Sequence, residues 1–196
     1  AAVAIYDVAP TPGNEIIIAS GPGTAPLVRV LSAAGKELFT FMPFAANVRG
    51  GILVAAGDTD GDSMADIVVL PRFESPTEVR IFNVKNLIGL KKESPPPHQK
   101  FTAFTDKGAI SLVVHDLNND ERDDIIVGSA PDIVSEVRIF RPDGTLTQKF
   151  FPFGSDHTNG VAVAGLRTDN PKKPLLAVAE ASRGSRLRIF RADRFS

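Results

Sequence analysis

The sequence has no cysteine, which excludes disulfides, thiolate metal sites and a cysteine nucleophile, and leaves the redox compartment unreadable. It also lacks an excess of charge of either sign, with 22 Lys plus Arg against 23 Asp plus Glu. Without a basic field nothing draws in nucleic acid or an anionic membrane, so no nucleic-acid partner is expected. No apolar run approaches the ~20 residues of a membrane helix, and the opening AAVAIYDVAP has no basic stretch ahead of an apolar one. Membrane insertion is therefore not expected either. Helical periodicity is missing as well: short alternating apolar runs recur between Gly, Pro, Asn and Asp, the pattern of an all-β chain. At 196 residues the chain can bury a substantial core as one large domain or two small ones.

What the sequence does contain is a repeat. VRV at 28–30, VRI at 79–81, VRI at 137–139 and LRI at 187–189 define four units, with approximate limits 1–37, 38–99, 100–148 and 149–196. A strand-like run ends at Asp7, Asp58, Asp116 and Leu166, in each case 22 residues before Arg29, Arg80, Arg138 and Arg188. Eight residues after each run end stand Glu15, Asp66, Asp124 and Pro174, followed at once by the apolar runs IIIA, IVVL, IIVG and LLAV. An aromatic segment ends at Phe44, Phe104 and Phe153, at 15, 24 and 15 residues from the preceding arginine. The extra residues fall in LIGLKKESPPPHQ, which reads as a surface loop. Four short strands per unit cannot cover both faces of their own sheet, and radial stacking of such sheets solves that problem. The expected fold is a β-propeller of four blade units. Only three aromatic strands serve four units, so the expected shape is an open arc of a larger propeller, completed by flanking sequence or by a second copy.

Two units carry closely packed oxygen donors. In DTDGDSMAD acidic side chains stand at positions one, three, five and nine, namely Asp58, Asp60, Asp62 and Asp66, and DLNNDERDD repeats this with Asp116, Asn118, Asp120 and Asp124. Such carboxylates repel one another unless a hard cation sits among them, and Ca2+ suits six to eight flexible oxygen ligands better than Mg2+. At position seven the backbone carbonyls of Met64 and Arg122 complete the expected shells, giving two Ca2+ sites. Position six is Ser63 or Glu121 and position twelve Val69 or Val127, so neither loop is an EF-hand. A pair of solvated hairpin turns is the plainer reading, set against the same pattern occurring twice in register.

The segments AAGDTDGDSMADIVVLP and VVHDLNNDERDDIIVGSAP resemble FG-GAP repeats, the calcium-binding blades of integrin α-chain propellers and of bacterial secreted proteins, also described as VCBS-type. GPG at 21–23 and the VRIF segments are similar to the bacterial versions. Units one and four depart from the motif, with Ala9 and Thr11 in one and Leu166, Thr168, Asn170 and Pro174 in the other, and no metal is expected there. The resemblance implies an extracellular or cell-surface, non-catalytic scaffold for binding or adhesion, with a protein or carbohydrate ligand. The alternatives are a propeller module of a secreted carbohydrate-active enzyme, such as a polysaccharide lyase, and a lectin.

Other candidates weigh less. The recurring arginines are expected to cap loop carbonyls or to pair with Asp66 or Asp124, rather than to form an anion-binding ring. His98, His115 and His157 show no partners at catalytic or zinc spacing, and carboxylates committed to a cation cannot serve a glycosidase as general acid. The recurring phenylalanines read as packing between blades. The insertion at 90–99 and the loop RTDNPKKP are candidate partner-contact surfaces.

Overall fold

The computed structural model describes residues 1–9, 13–106, 108–166, 170 and 174–191. It is all-β, with one 3-10 turn at Val84–Asn86. Sheet 1 consists of β1 (Ala2–Tyr6), β2 (Glu15–Ala19), β3 (Val28–Leu31) and β4 (Glu37–Phe41). Sheet 2 consists of β5 (Ile52–Gly57), β6 (Asp66–Pro71) and β7 (Thr77–Phe82), completed by β9 (Gln99–Phe104); between β7 and β9 runs β8 (Lys91–Glu93). Sheet 3 holds β10 (Ala109–His115), β11 (Asp124–Ser129), β12 (Val137–Phe140) and β13 (Leu146–Phe150). Sheet 4 holds β14 (Val161–Leu166), β15 (Leu175–Glu180) and β16 (Leu187–Arg191).

Consecutive strands within each sheet pair antiparallel, as short hairpin connections dictate. The sheets group the chain in a different phase from the sequence units, because each aromatic strand hairpins back onto the VRI-type strand before it. Segment 90–99 is not only a surface loop: β8 adds to β4 as a parallel edge strand of sheet 1. Its Lys-rich composition suits an edge that must not recruit further strands.

Burial records how the sheets stack. Every residue of β6 and β11 is buried, while β2 alternates between buried and half-buried. Strands covered on both faces read as continuous apolar runs, and a strand covered on one face alternates. The first strands of successive sheets lie side by side, β1 by β5, β5 by β10 and β10 by β14. Three apolar cores fill the seams: Ile17, Val30 and Phe41 against Ile67 and Phe82; Leu70 and Ile81 against Ile125 and Phe140; Ile126 and Ile139 against Val163 and Leu176.

The strand register also corrects one sequence landmark. Tyr6 pairs with Glu15, Gly57 with Asp66 and His115 with Asp124, but in sheet 4 it is Leu166 that pairs with Leu175. Leu166 therefore matches His115, the last strand residue, and not Asp116, the first loop residue. Sheet 4 is one residue shorter between β15 and β16, which restores the arginine spacing.

Candidate metal centre

The β5–β6 and β10–β11 hairpins share one backbone path. Positions four and six of both loops are left-handed: Gly61 and Ser63 at φ 80° and 65°, Asn119 and Glu121 at 63° and 67°. That path turns backbone N–H groups onto the position-one carboxylate. Asp58 accepts from Gly61 at 2.7 Å and Ser63 at 2.8 Å, and Asp116 accepts from Asn119 at 2.6 Å and Glu121 at 3.2 Å. The position-five carboxylate caps position seven, Asp62 accepting from the Met64 N–H at 2.9 Å and Asp120 from that of Arg122 at 3.0 Å. Short Asx-type bonds of this kind suit residues that would otherwise strain at positive φ.

In the first loop Asp58, Asp60 and Asp62 each bring a carboxylate oxygen within 4.8 Å of the others. Two groups just beyond β7 approach them: Lys85 Nζ lies 2.5 Å from Asp62 and Asn83 Nδ2 lies 3.3 Å from Asp60. The Lys85 ammonium holds the Asp62 carboxyl below its usual range. In the second loop the Asn118 amide points its nitrogen at Asp124, 3.4 Å away. Lys85 was invisible to motif reasoning because it lies outside the repeat, although its place right after the VRIF strand fixes it beside the loop.

The position-nine carboxylates have a different character. Glu15, Asp66 and Asp124 are all buried, and each faces the residue at position two: Val8 N–H at 2.9 Å, Thr59 through its hydroxyl, and Leu117 N–H at 3.2 Å. They close the hairpin whether or not the motif is complete. Burial pushes Asp66 and Asp124 up to about 6, helped by the neighbouring loop carboxylates. The two complete loops also touch. Asp123 N–H donates to the Asp58 carbonyl at 2.7 Å, and Asp58 N–H donates to the Asp123 carboxylate at 2.8 Å. A Cβ at Gly57 would collide with that carboxylate, so glycine there permits the approach. The sheet-4 loop lies mostly outside the described residues, as does Thr11 in the first.

Two of the recurring arginines, Arg80 and Arg138, cap carbonyls as expected, but their carboxylate partners are not Asp66 and Asp124, and Arg29 meets Glu37 at 3.9 Å instead. Arg80 donates to the Pro43 carbonyl at 2.6 Å and Arg138 to that of Ala103 at 2.7 Å, while Nε of each meets Glu78 or Glu136, both at 2.6 Å. Each guanidinium also lies over a phenylalanine at or just beyond the last strand of the preceding sheet, 4.6 Å from Phe44 and 4.7 Å from Phe104. Residues two apart on a strand share a face, so Glu-x-Arg was the readable signal.

His157 is held by two partners distant in the sequence: Ser135 Oγ at 3.0 Å and Glu180 Oε1 at 2.5 Å. The arrangement looks like a serine–histidine–carboxylate relay. However, Ser135 is fully buried and its oxygen also accepts the Gly160 N–H at 3.0 Å. A hydroxyl in that position reaches no substrate carbonyl, and the group acts as a clasp between sheets 3 and 4. No family model matches the chain, and no curated protein is significantly similar to it.

Proposed function

We propose that the stacked sheets are blades of a β-propeller of FG-GAP type, whose two acidic hairpins bind Ca2+ and stiffen a non-catalytic, extracellular scaffold for a protein or carbohydrate ligand. The observation that carries the reading is the convergence of the Asp58, Asp60 and Asp62 carboxylates at one end of a strand-borne turn. Support comes from the second loop turning left-handed at the same two positions and from first strands lying side by side through the stack, as blades do around an axis.

The donor set fits the ion. All the side chains offer hard oxygen once the Asn118 amide presents its oxygen instead of its nitrogen, and flexible, many-coordinate oxygen sites favour Ca2+ over Mg2+. Asp58, Asp60, Asp62, Asp66 and the Met64 carbonyl would hold one ion; Asp116, Asn118, Asp120, Asp124 and the Arg122 carbonyl would hold the other. Bound calcium supplies charge that neutralises the loop carboxylates. The chain's own part is to hold those carboxylates in place through the Gly61, Ser63, Asn119 and Glu121 N–H groups. Lys85 competes for the first site, since its ammonium already occupies Asp62.

Calcium titration with calorimetry and thermal melting tests this. Two ions per chain are expected, with stabilisation of about 2.7 kcal/mol per site at a hundredfold excess over Kd. Asp62→Ala and Asp120→Ala should each remove one ion, and Lys85→Met should tighten the first site alone. Binding of one ion or none, or unaltered stoichiometry in both alanine variants, would refute the ligand assignment. A glycan array distinguishes a carbohydrate ligand from a protein one.

A further inference from the structure

Two departures from the repeat meet where sheets 2 and 3 come together. The last residues of the four first strands are Tyr6, Gly57, His115 and Leu166, so sheet 2 alone places glycine there. The residue before the position-nine carboxylate is Ala65 in the first acidic loop and Asp123 in the second. A Cβ at Gly57 would stand 2.3 Å from Asp123 Oδ2, too close for a real atom. Glycine and aspartate are thus a matched pair, one leaving the room that the other's carboxylate fills.

What the pair joins is the two loops. Asp123 donates its N–H to the Asp58 carbonyl at 2.7 Å, and its half-buried carboxylate accepts the Asp58 N–H at 2.8 Å. The Asp116 backbone N–H bonds to the same carboxylate. Position one of each loop therefore hangs on a single side chain that stands next to Asp124 and is assigned to neither ligand set. A second contact runs beside the first: Arg122 packs on Gly61, where an added Cβ would come 3.3 Å from its Nε. Ala65, at the matching place in the first loop, has no side-chain acceptor with which to build such a bridge.

We infer that Asp123 is a positioning residue that couples the two hairpins, so that a cation held in either one tightens the other. This rests on the calcium reading above and adds a regulation to it: the two sites fill as a unit. An ion fixes Asp58 or Asp116 among its ligands, and whatever fixes either backbone also fixes Asp123 between them. Part of the ordering cost is then met before the second ion arrives, which gives positive cooperativity without a change of fold. Repulsion between the ions opposes this, but it is weakened at physiological salt, where the Debye length is about 8 Å. By linkage the gain is the same in both directions, about fivefold or more.

Calorimetric titration of the full chain with Ca2+ at physiological salt tests this. The parent chain should bind two ions with a Hill coefficient above 1. Asp62→Ala, which blocks the first loop, should leave the second loop about fivefold weaker than the second ion of the parent, and Asp120→Ala should do the same to the first loop. Asp123→Ala should bind two ions independently, and adding Asp62→Ala to it should no longer change the second loop. A mere loss of stability would weaken both sites and leave their coupling in place. Asp123→Asn retains an oxygen for the Asp58 N–H and should keep the coupling, which separates the bond from the charge. If circular dichroism shows Asp123→Ala unfolded, Gly57→Ala replaces it, since its Cβ displaces the same carboxylate. Independent or mutually weakening sites in the parent, coupling that survives Asp123→Ala, or its loss in Asp123→Asn would overturn the inference while the calcium reading stands. Fewer than two ions in the parent overturns both.

Discussion

The seams between sheets 1 and 2 and between sheets 2 and 3 are closed by the same device, whereas the seam between sheets 3 and 4 is closed by another. In the first two, an arginine on the third strand takes a backbone carbonyl from the preceding sheet, covers its phenylalanine and is held by a glutamate two residues earlier. In the third, that earlier position is Arg186, which now lies 5.0 Å over Phe153, and the glutamate has moved to Glu180 at the end of β15. Glu180 gathers Arg186 at 2.8 Å and His157 at 2.5 Å. The swap shows what the stack requires: an aromatic ring covered by a guanidinium, and a carboxylate that neutralises it. Which strand supplies each charge is free to vary.

The largest effect should come from the rings common to all three seams. Phe104 is fully buried, and Phe104→Ala should cost about 4 kcal/mol by denaturant titration. Phe153 is less enclosed at 7 % exposure, and Phe153→Ala should cost visibly less. Equal losses would mean that the third seam packs as tightly as the second despite its different polar closure. The arginines come next. Arg138→Ala takes the nearest cation from a Glu136 side chain that is only 3 % exposed and leaves Lys149 at 4.0 Å as the remaining cation, so the loss should approach the roughly 3 kcal/mol of a broken buried pair. Arg80→Ala leaves Glu78, 34 % exposed, free to hydrate, and should cost about 1 kcal/mol. If the order reverses, the carbonyl cap rather than the ion pair dominates these seams.

The strands were legible because burial on one face or both writes a period of two or an unbroken apolar run, and IVVL and IIVG lie in the two strands that are buried at every residue. The first loop was legible as an oxygen cluster, and Asp58, Asp60 and Asp62 do converge. Spacing alone did not separate the outward carboxylates from Asp66 and Asp124, because that difference arises when the strand after the loop buries its first residue. Nor did it place Lys85 beside Asp62 or β8 on the edge of sheet 1, since both lie outside the repeat. The slip at Leu166 has a simple cause: counting from the arginine hides a one-residue deletion between β15 and β16, which only strand pairing exposes. His157 found its partners across a seam, from residues 22 and 23 positions away, a proximity that no local pattern announces.

The smallest expected effect separates the third seam from the others by its pH dependence. Hydrogen bonds from the Arg186 side chain, then from its backbone N–H, hold the Glu180 carboxyl down to about 2, from an ordinary value of 4.5. A carboxylate depressed on folding stabilises the native state fully above its unfolded value, and that contribution is lost as pH falls toward the folded value. The loss should therefore run between about pH 4.5 and about 2. Glu180→Gln keeps the shape of the side chain but carries no charge to lose, so its stability should vary less than that of the parent chain over the same interval. The two curves should lie apart at pH 7 and draw together near pH 2. Arg186 is half exposed, so 0.5 M salt should narrow the gap at neutral pH. Parallel curves between pH 5 and pH 2 would show that Glu180 closes this seam by shape and hydrogen bonding alone.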